Sequence, residues 1–425
     1  MGAAALGLAA CTSGKTSGKT EGVKDLSGKM LQNYPGIGTL GYGCMRWPTK
    51  DGHIDQDEVN RLVDFALEHG VNYFDTSPVY TRGESETATS IALNRHPRES
   101  WLLATKLSNM SNPSYDASVA MYHRSLEFFK TDYIDYYLLH SVRDQADFER
   151  RFGSTGIMDF LMKERELGHI RHLGFSFHGH EPGFLYMMSL HEKYHWDFVQ
   201  IQMNYVDWQH ASGRNCNADF LYNELDKREI PVVIMEPLRG GALSNMAAGL
   251  ADKLKAREPE KSLASWAFRF VGSYPRVMAA LSGMTYMEHL EDNLDTFLDF
   301  EPMSDDEKKF ILGIADDMIN YPLIPCTNCQ YCMPCQYGID IPGLFKFYND
   351  NINAGTYVSN GEQEDYARAK RKYLLQYSKA IPTVRQADHC IGCGKCRPAC
   401  PQYIDIPAQL SRIDHYLEQI KQDTL

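Results

Sequence analysis

Four polar side chains stand at or just past the ends of short apolar runs. Asp75 closes Asn72–Asp75 in the stretch NYFDTSPVY, and Tyr80 follows on the turn after it. Lys106 lies near the end of Trp101–Leu107, and His140 ends Tyr133–His140. Singly, each has a plain structural reading: a turn cap, a loop tyrosine, a surface lysine, a core histidine. A carboxylate, a phenol, an ammonium and an imidazole delivered by successive strand ends make one site, and its chemistry suits the interconversion of a carbonyl and an alcohol. A phenol with a pKa of about 10 is too weak an acid for ready proton donation at neutral pH. An ammonium beside it favours the phenolate and lowers that pKa; Asp75 would hold Lys106 in place, and His140 would orient the carbonyl oxygen.

The second chemical signal is cysteine. Eight of the 11 cysteines fall between Cys326 and Cys400, in two runs. The first is Cys326-x2-Cys329-x2-Cys332-x2-Cys335; the second is Cys390-x2-Cys393-x2-Cys396-x3-Cys400-Pro401. The second has the spacing of bacterial ferredoxins, in which the fourth cysteine ligates the other cluster. The first run is a residue shorter before its last cysteine and carries Gln336 in place of proline, yet Ile-Asp-Ile-Pro recurs at the same offset after both. One 4Fe-4S cluster is therefore expected on Cys326, Cys329, Cys332 and Cys400, and a second on Cys335, Cys390, Cys393 and Cys396. Two structural zinc sites are the alternative.

The elements that must position the first site alternate in a regular way. Apolar runs at Gly38–Met45, Asn72–Asp75, Trp101–Leu107, Tyr133–His140, His172–Phe177, Phe198–Met203, Val232–Glu236 and Val277–Ser282 read as parallel strands covered on both faces. Amphipathic segments separate them, among them Asp55–His69, Ser118–Lys130, Ala218–Arg228 and Met287–Phe297. The fold class expected is α/β, a (β/α)8 TIM barrel over residues 33–303, followed by a small, mostly helical iron–sulfur domain over 304–425. A doubly wound sheet is the runner-up, but no GxGxxG follows the first strand. In a barrel the strand ends carry the chemistry, and there Asp75, Lys106 and His140 stand.

Asp75 with Tyr80, Lys106 in LLATKLS and His140 in YYLLHS resemble the catalytic tetrad of the aldo-keto reductases, over roughly residues 35–300. The resemblance implies carbonyl reduction by hydride from NAD(H) or NADP(H), with Tyr80 as general acid. It places Ser176 and Gln200 at the nicotinamide carboxamide, with Phe177 standing where the family usually has Asn. The stacking aromatic of many members falls on Met235, in a segment that also offers Glu236 and Leu238. Cys44, Met45 and Arg46 are expected to border the pocket. SGMTYMEHLEDN resembles the adenosine-phosphate segment; it retains Asn293, while the usual basic residues correspond to Gly283 and His289. A 2′-phosphate wants Lys or Arg, so Arg46 or Arg239 would have to substitute. The C-terminal part resembles an α-helical ferredoxin domain.

A net charge of −12 without a basic run argues against nucleic acid as a partner. No apolar run has the length of a spanning helix. Residues 1–32 read as a signal-like tail and flexible linker, in which Leu8–Cys11 resembles a bacterial lipobox. A working lipobox would mean an exported chain, anchored to a membrane through lipidated Cys11; a cytoplasmic location is the alternative. The whole reads as an oxidoreductase acting on a small carbonyl or alcohol, with a redox protein as a further partner. The rival reading is an electron-transfer module whose barrel serves as a docking scaffold.

Overall fold

In this computed structural model the described residues are 26–213, 215–358, 361 and 365–425. The lipobox at Leu8–Cys11 lies outside them. Eight parallel strands close into a barrel: β1 (Leu40–Gly43), β2 (Tyr73–Asp75), β3 (Leu102–Leu107), β4 (Ile134–Val142), β5 (Ile170–Phe177), β6 (Phe198–Gln202), β7 (Val232–Met235) and β8 (Val277–Ser282). Each strand pairs with its neighbours in chain order, and β8 returns to β1. The barrel fold expected from the alternating runs is present. The helix Ala248–Arg257 and a short antiparallel hairpin, Thr49–Lys50 with His53–Ile54, were not legible as separate elements.

Side-chain alternation explains why the strands are nearly continuous in apolar character. Tyr73, Ala104, Tyr136, Leu138, Phe198 and Val233 fill the barrel interior. The residues one step out of phase, such as Phe74, Leu103, Tyr137 and Leu139, pack outward against the helices. Each buried side chain of this size contributes roughly 1.5–3 kcal/mol. The same two-residue period aims Asp75, Lys106 and His140 inward, in phase with Tyr73, Ala104 and Leu138. At the end of β4 the register slips between Leu139 and Val142, with Ser141 at φ 54°, next to His140.

The cysteine-bearing part builds its own core from Ile324, Ile339, Leu344, Phe345, Tyr373, Ile404, Leu410 and Leu417. Its helices are Ile341–Asn353, Tyr366–Ala380 and Ile406–Gln422. The Ile-Asp-Ile-Pro repeat acquires a structural meaning here. Asp340 and Asp405 are N-caps, accepting hydrogen bonds from the amides of Gly343 and Ala408, with proline in the first turn. The flanking isoleucines are buried.

One boundary moves. The helix Asp305–Ile319, expected to begin the C-terminal domain, packs through Ile311, Ile314, Ala315 and Met318 on the barrel core. An apolar stripe at helical spacing shows that a helix is buried on one face but not against which core. Among the described residues no helix is long and apolar enough to cross a membrane.

Candidate active site

Lys106 is buried at 1 % exposure and donates to Asp75 Oδ1 at 2.6 Å and to the carbonyl of Thr76 at 2.8 Å. Its Nζ lies 4.9 Å from the centre of the Tyr80 ring. The Tyr80 and His140 rings meet edge-on, 5.7 Å between centroids. The four side chains picked from the sequence are therefore one cluster at the C-terminal mouth of the barrel.

Burial governs the electrostatics. It pushes the Asp75 carboxyl up and the Lys106 ammonium down, each opposed by the partner's charge. Burial, then the presence of Lys106 and Arg151, drives His140 well below the usual imidazole range, so the ring is neutral. Ser108 Oγ is 2.6 Å from His140 Nδ1, and Arg151 donates to the His140 carbonyl. The Tyr80 phenol is raised well above its ordinary value, chiefly by burial and then by Tyr331, Asp75, Cys44 and Glu236. The lowering expected from Lys106 is thus not the net effect. Asp75 already occupies the ammonium, and the closed pocket disfavours a phenolate.

A cavity of about 670 Å³ opens above this cluster, within the range of small-molecule sites. Of the residues named for nucleotide binding, Met45, Arg46, Gln200, Glu236, Leu238, Gly283 and Asn293 line it, as does Met235. Gln200 Oε1 is buried without a hydrogen-bond partner. Gly283 is small because a Cβ there would sit 2.8 Å from Arg46 Cδ. Two expectations change. Cys44 is not on the lining: β1 ends at Gly43, and the following turn folds the thiol into the core at 0 % exposure. Ser176 is also off the lining, its hydroxyl accepting from the Ser141 amide at 2.7 Å, next to the slip in β4. The two arginines suggested for a 2′-phosphate are both engaged. Arg46 donates to the Thr327 carbonyl, and Arg239 pairs with Asp207 at 3.3 Å. Glu236, at φ 54° just past β7, is pushed up to about 7 by burial and then by Asp207, against the pull of Arg46.

The cysteines group as their spacing suggested. Cys326, Cys329, Cys332 and Cys400 ring one small cavity, with Ile341, Phe345 and Ile404 as its apolar wall. Cys335, Cys390 and Cys393 lie near Cys396. Among the described residues, no three His, Cys, Asp or Glu groups converge as a single-ion site. Four thiols spread around a cavity suit a cluster. Sequence reasoning missed what lies between the two sites. Cys329, Tyr331 and Pro401 line the same barrel pocket as Tyr80. The cysteine loop is the roof of the barrel site.

The fold and this site define an oxidoreductase barrel carrying an iron–sulfur domain. The aldo/keto reductase family profile matches residues 39–315, and a 4Fe-4S dicluster domain matches residues 325–406. The chain belongs to the aldo/keto reductase family. An aldo-keto reductase of Mycolicibacterium smegmatis is 34 % identical over 141 residues, 33 % of this chain and 46 % of that protein. This chain thus aligns with less than half of that relative's length. The uncharacterized oxidoreductase YqkF of Bacillus subtilis is 24 % identical over 282 residues, 61 % of this chain and 86 % of that protein. Among solved structures, the holo form of aldo-keto reductase AKR11C1 from Bacillus halodurans superposes with a TM-score of 0.54 at 21 % identity, covering 68 % of this chain and 96 % of that one. An aldo/keto reductase from Klebsiella pneumoniae in complex with NADP and acetate gives 0.51 at 19 % identity, covering 65 % and 90 %. These two likenesses show the shared fold.

Proposed function

We propose that the chain interconverts a small carbonyl compound and its alcohol, with Tyr80 as the acid that protonates the carbonyl oxygen. The observation that carries this reading is the buried Asp75–Lys106 pair, set beneath Tyr80 and beside a neutral His140. Tyr80 holds its proton in the resting pocket. As its O–H passes the proton to the substrate oxygen, Lys106 is placed to stabilise the phenolate left behind. If Ser108 donates into His140 Nδ1, the imidazole carries its hydrogen on Nε2 and donates it to the same carbonyl oxygen.

A nicotinamide nucleotide suits the pocket: the partnerless Gln200 Oε1 can accept from a carboxamide NH2. When bound, the nicotinamide supplies the hydride. Glu288, His289, Asp292 and Asn293 also line the pocket, and Arg46, the one Lys or Arg among the described lining residues, has its guanidinium engaged with the Thr327 carbonyl. A carboxylate there favours the ribose diol of NAD(H) over a 2′-phosphate. The test is nucleotide titration and turnover on a panel of aldehydes and ketones, wild type against Tyr80→Phe. The variant should bind nucleotide and fail to turn over; wild-type turnover would overturn the assignment.

The two cysteine groups fit two 4Fe-4S clusters, which when present supply single electrons. A second reading makes these clusters the electron source for the pocket, and the position of Cys329 on the pocket wall favours it. Wild-type protein that reduces carbonyls from dithionite but not from NADH or NADPH would establish this second reading over the first.

A further inference from the structure

Of the eight cysteines in the two runs, Cys393 alone is exposed. It sits at the tip of its loop between Gly392 and Gly394, both at φ +71°, and a Cβ on Gly392 would meet nothing within 4 Å. Gln336, which takes the place that Pro401 has in the second run, donates to Cys393 Sγ at 3.6 Å and accepts from Lys395 at 2.7 Å. The surface around this thiol is apolar and basic together. Val384 and Ile391, 71 % and 65 % exposed, are the two most exposed large apolar side chains among the described residues. His389 Nε2 lies 3.1 Å from the Thr383 carbonyl, which holds the turn bearing Val384 against the start of the second cysteine run. The Asp340 amide donates to the Arg385 carbonyl at 3.1 Å, and a Cβ on Gly338 would lie 3.5 Å from the Val384 carbonyl oxygen. The exposed ring of Tyr337 therefore borders the same patch.

Charge is concentrated here as well. From the start of the helix Tyr366–Ala380 to Arg397 the chain carries eight lysines and arginines against one carboxylate, Asp388, in a protein whose net charge is −12. Arg397 is paired with Asp405, whereas Lys395 donates to the neutral Gln336. The other cysteine group is turned away from solvent: Cys400 is buried, and Cys329 is on the wall of the barrel pocket.

We propose that the patch of Tyr337, Val384, Ile391 and Lys395 around Cys393 docks a small acidic protein that carries single electrons. The inference rests on the reading of the cysteines as ligands of two 4Fe-4S clusters. Exposed apolar side chains in a basic field suit such a partner: they supply contact area, and the positive charge steers an acidic surface onto it. Each encounter moves one electron from the reduced carrier to the cluster that Cys393 holds. The carrier is oxidised by one electron, the cluster is reduced by one, and no bond forms or breaks. Electrons thus enter at the exposed cysteine group, and the group that includes Cys329 lies between it and the carbonyl site. An anionic lipid surface would meet the same charges but would leave the exposure of a cluster ligand at their centre without a purpose.

The test uses the full chain with its clusters, prepared anaerobically, and a plant-type 2Fe-2S ferredoxin as the acidic carrier. Electron transfer is followed by stopped flow for wild type, for Arg385→Glu with Lys395→Glu, and for Val384→Ser with Ile391→Ser. The wild-type rate constant should fall steeply as salt is raised. The charge-reversed variant should be about tenfold slower at low salt and nearly indifferent to salt. The serine variant should be slower at every salt concentration. Rates are compared per cluster reducible by dithionite, so a loss of iron in a variant is corrected for. Wild-type rates in both variants, or no transfer in either direction between the ferredoxin and wild type, overturn this inference alone. Wild-type protein with no cluster that dithionite reduces overturns the reading beneath it. Sedimentation with phosphatidylglycerol vesicles that is lost in the charge-reversed variant, while its transfer rate stays as in wild type, overturns the proposal in favour of a lipid surface.

Discussion

Replacing Lys106 by methionine probes the site where its charge is most concentrated. The variant keeps the chain's length and apolar stem but removes the ammonium that donates to Asp75 at 2.6 Å and to Thr76 at 2.8 Å. Asp75, buried at 2 % exposure, is then left without a counter-charge. Breaking a buried pair from one side costs roughly 3–5 kcal/mol of stability. Asp75 can relieve part of that by taking up a proton, since burial already raises its pKa. The effect on catalysis is separate. At 4.9 Å, with an effective dielectric constant of about 20, a unit charge stabilises a developing phenolate by about 3 kcal/mol, roughly two orders of magnitude in rate. The measurement is the pH dependence of kcat together with thermal unfolding, for Lys106→Met, Asp75→Asn and the double variant. The double variant should recover stability relative to Lys106→Met while remaining slow. Wild-type kcat in Lys106→Met, or a double variant no more stable than Lys106→Met, would refute the reasoning.

Other outcomes follow from the same geometry. Cys400→Ser should remove the cluster held with Cys326, Cys329 and Cys332 and leave that of Cys335, Cys390, Cys393 and Cys396; iron analysis with spectroscopy would refute the crossed grouping if the second were lost instead. NADH should be preferred to NADPH, and Glu288→Lys should shift the ratio of kcat/KM values toward NADPH by about tenfold, read from initial rates. His140 is neutral in the folded chain and ionises near its usual value of 6.5 when unfolded, so the unfolded state binds more protons below that pH. Wild type should accordingly lose stability relative to His140→Gln as pH falls from about 6.5; parallel unfolding curves across that range would contradict the depressed value.

The barrel was legible because parallel strands buried on both faces leave runs such as YYLLH and LLATKL, and because strand alternation fixes which residues face inward. Asp75, Lys106 and His140 could thus be grouped without coordinates. The repeated Ile-Asp-Ile-Pro was legible as a duplication, and its reason, a capping aspartate before a proline-started helix, emerged only with the structure. Cys44 and Ser176 were misplaced for local reasons: a turn that rotates a thiol into the core, and a backbone amide that captures a hydroxyl. The helix Asp305–Ile319 has an apolar face that fits either domain, and only packing assigns it to the barrel. Tyr331 lay beyond pattern reading altogether. Its place on the pocket wall comes from two domains docking, and nothing in Cys-Gln-Tyr-Cys marks the tyrosine as part of a distant pocket.

Isotope transfer tests the role of Tyr80 most directly. Anaerobic wild-type protein is mixed with nucleotide deuterated at the hydride position and a small aldehyde or ketone, and the alcohol product is analysed by mass spectrometry beside that of Tyr80→Phe. Deuterium on the carbinol carbon from wild type, and no labelled alcohol from the variant, is the result expected of hydride delivery with Tyr80 protonating the oxygen. Unlabelled alcohol from wild type, or labelled alcohol formed by Tyr80→Phe at the wild-type rate, would contradict it.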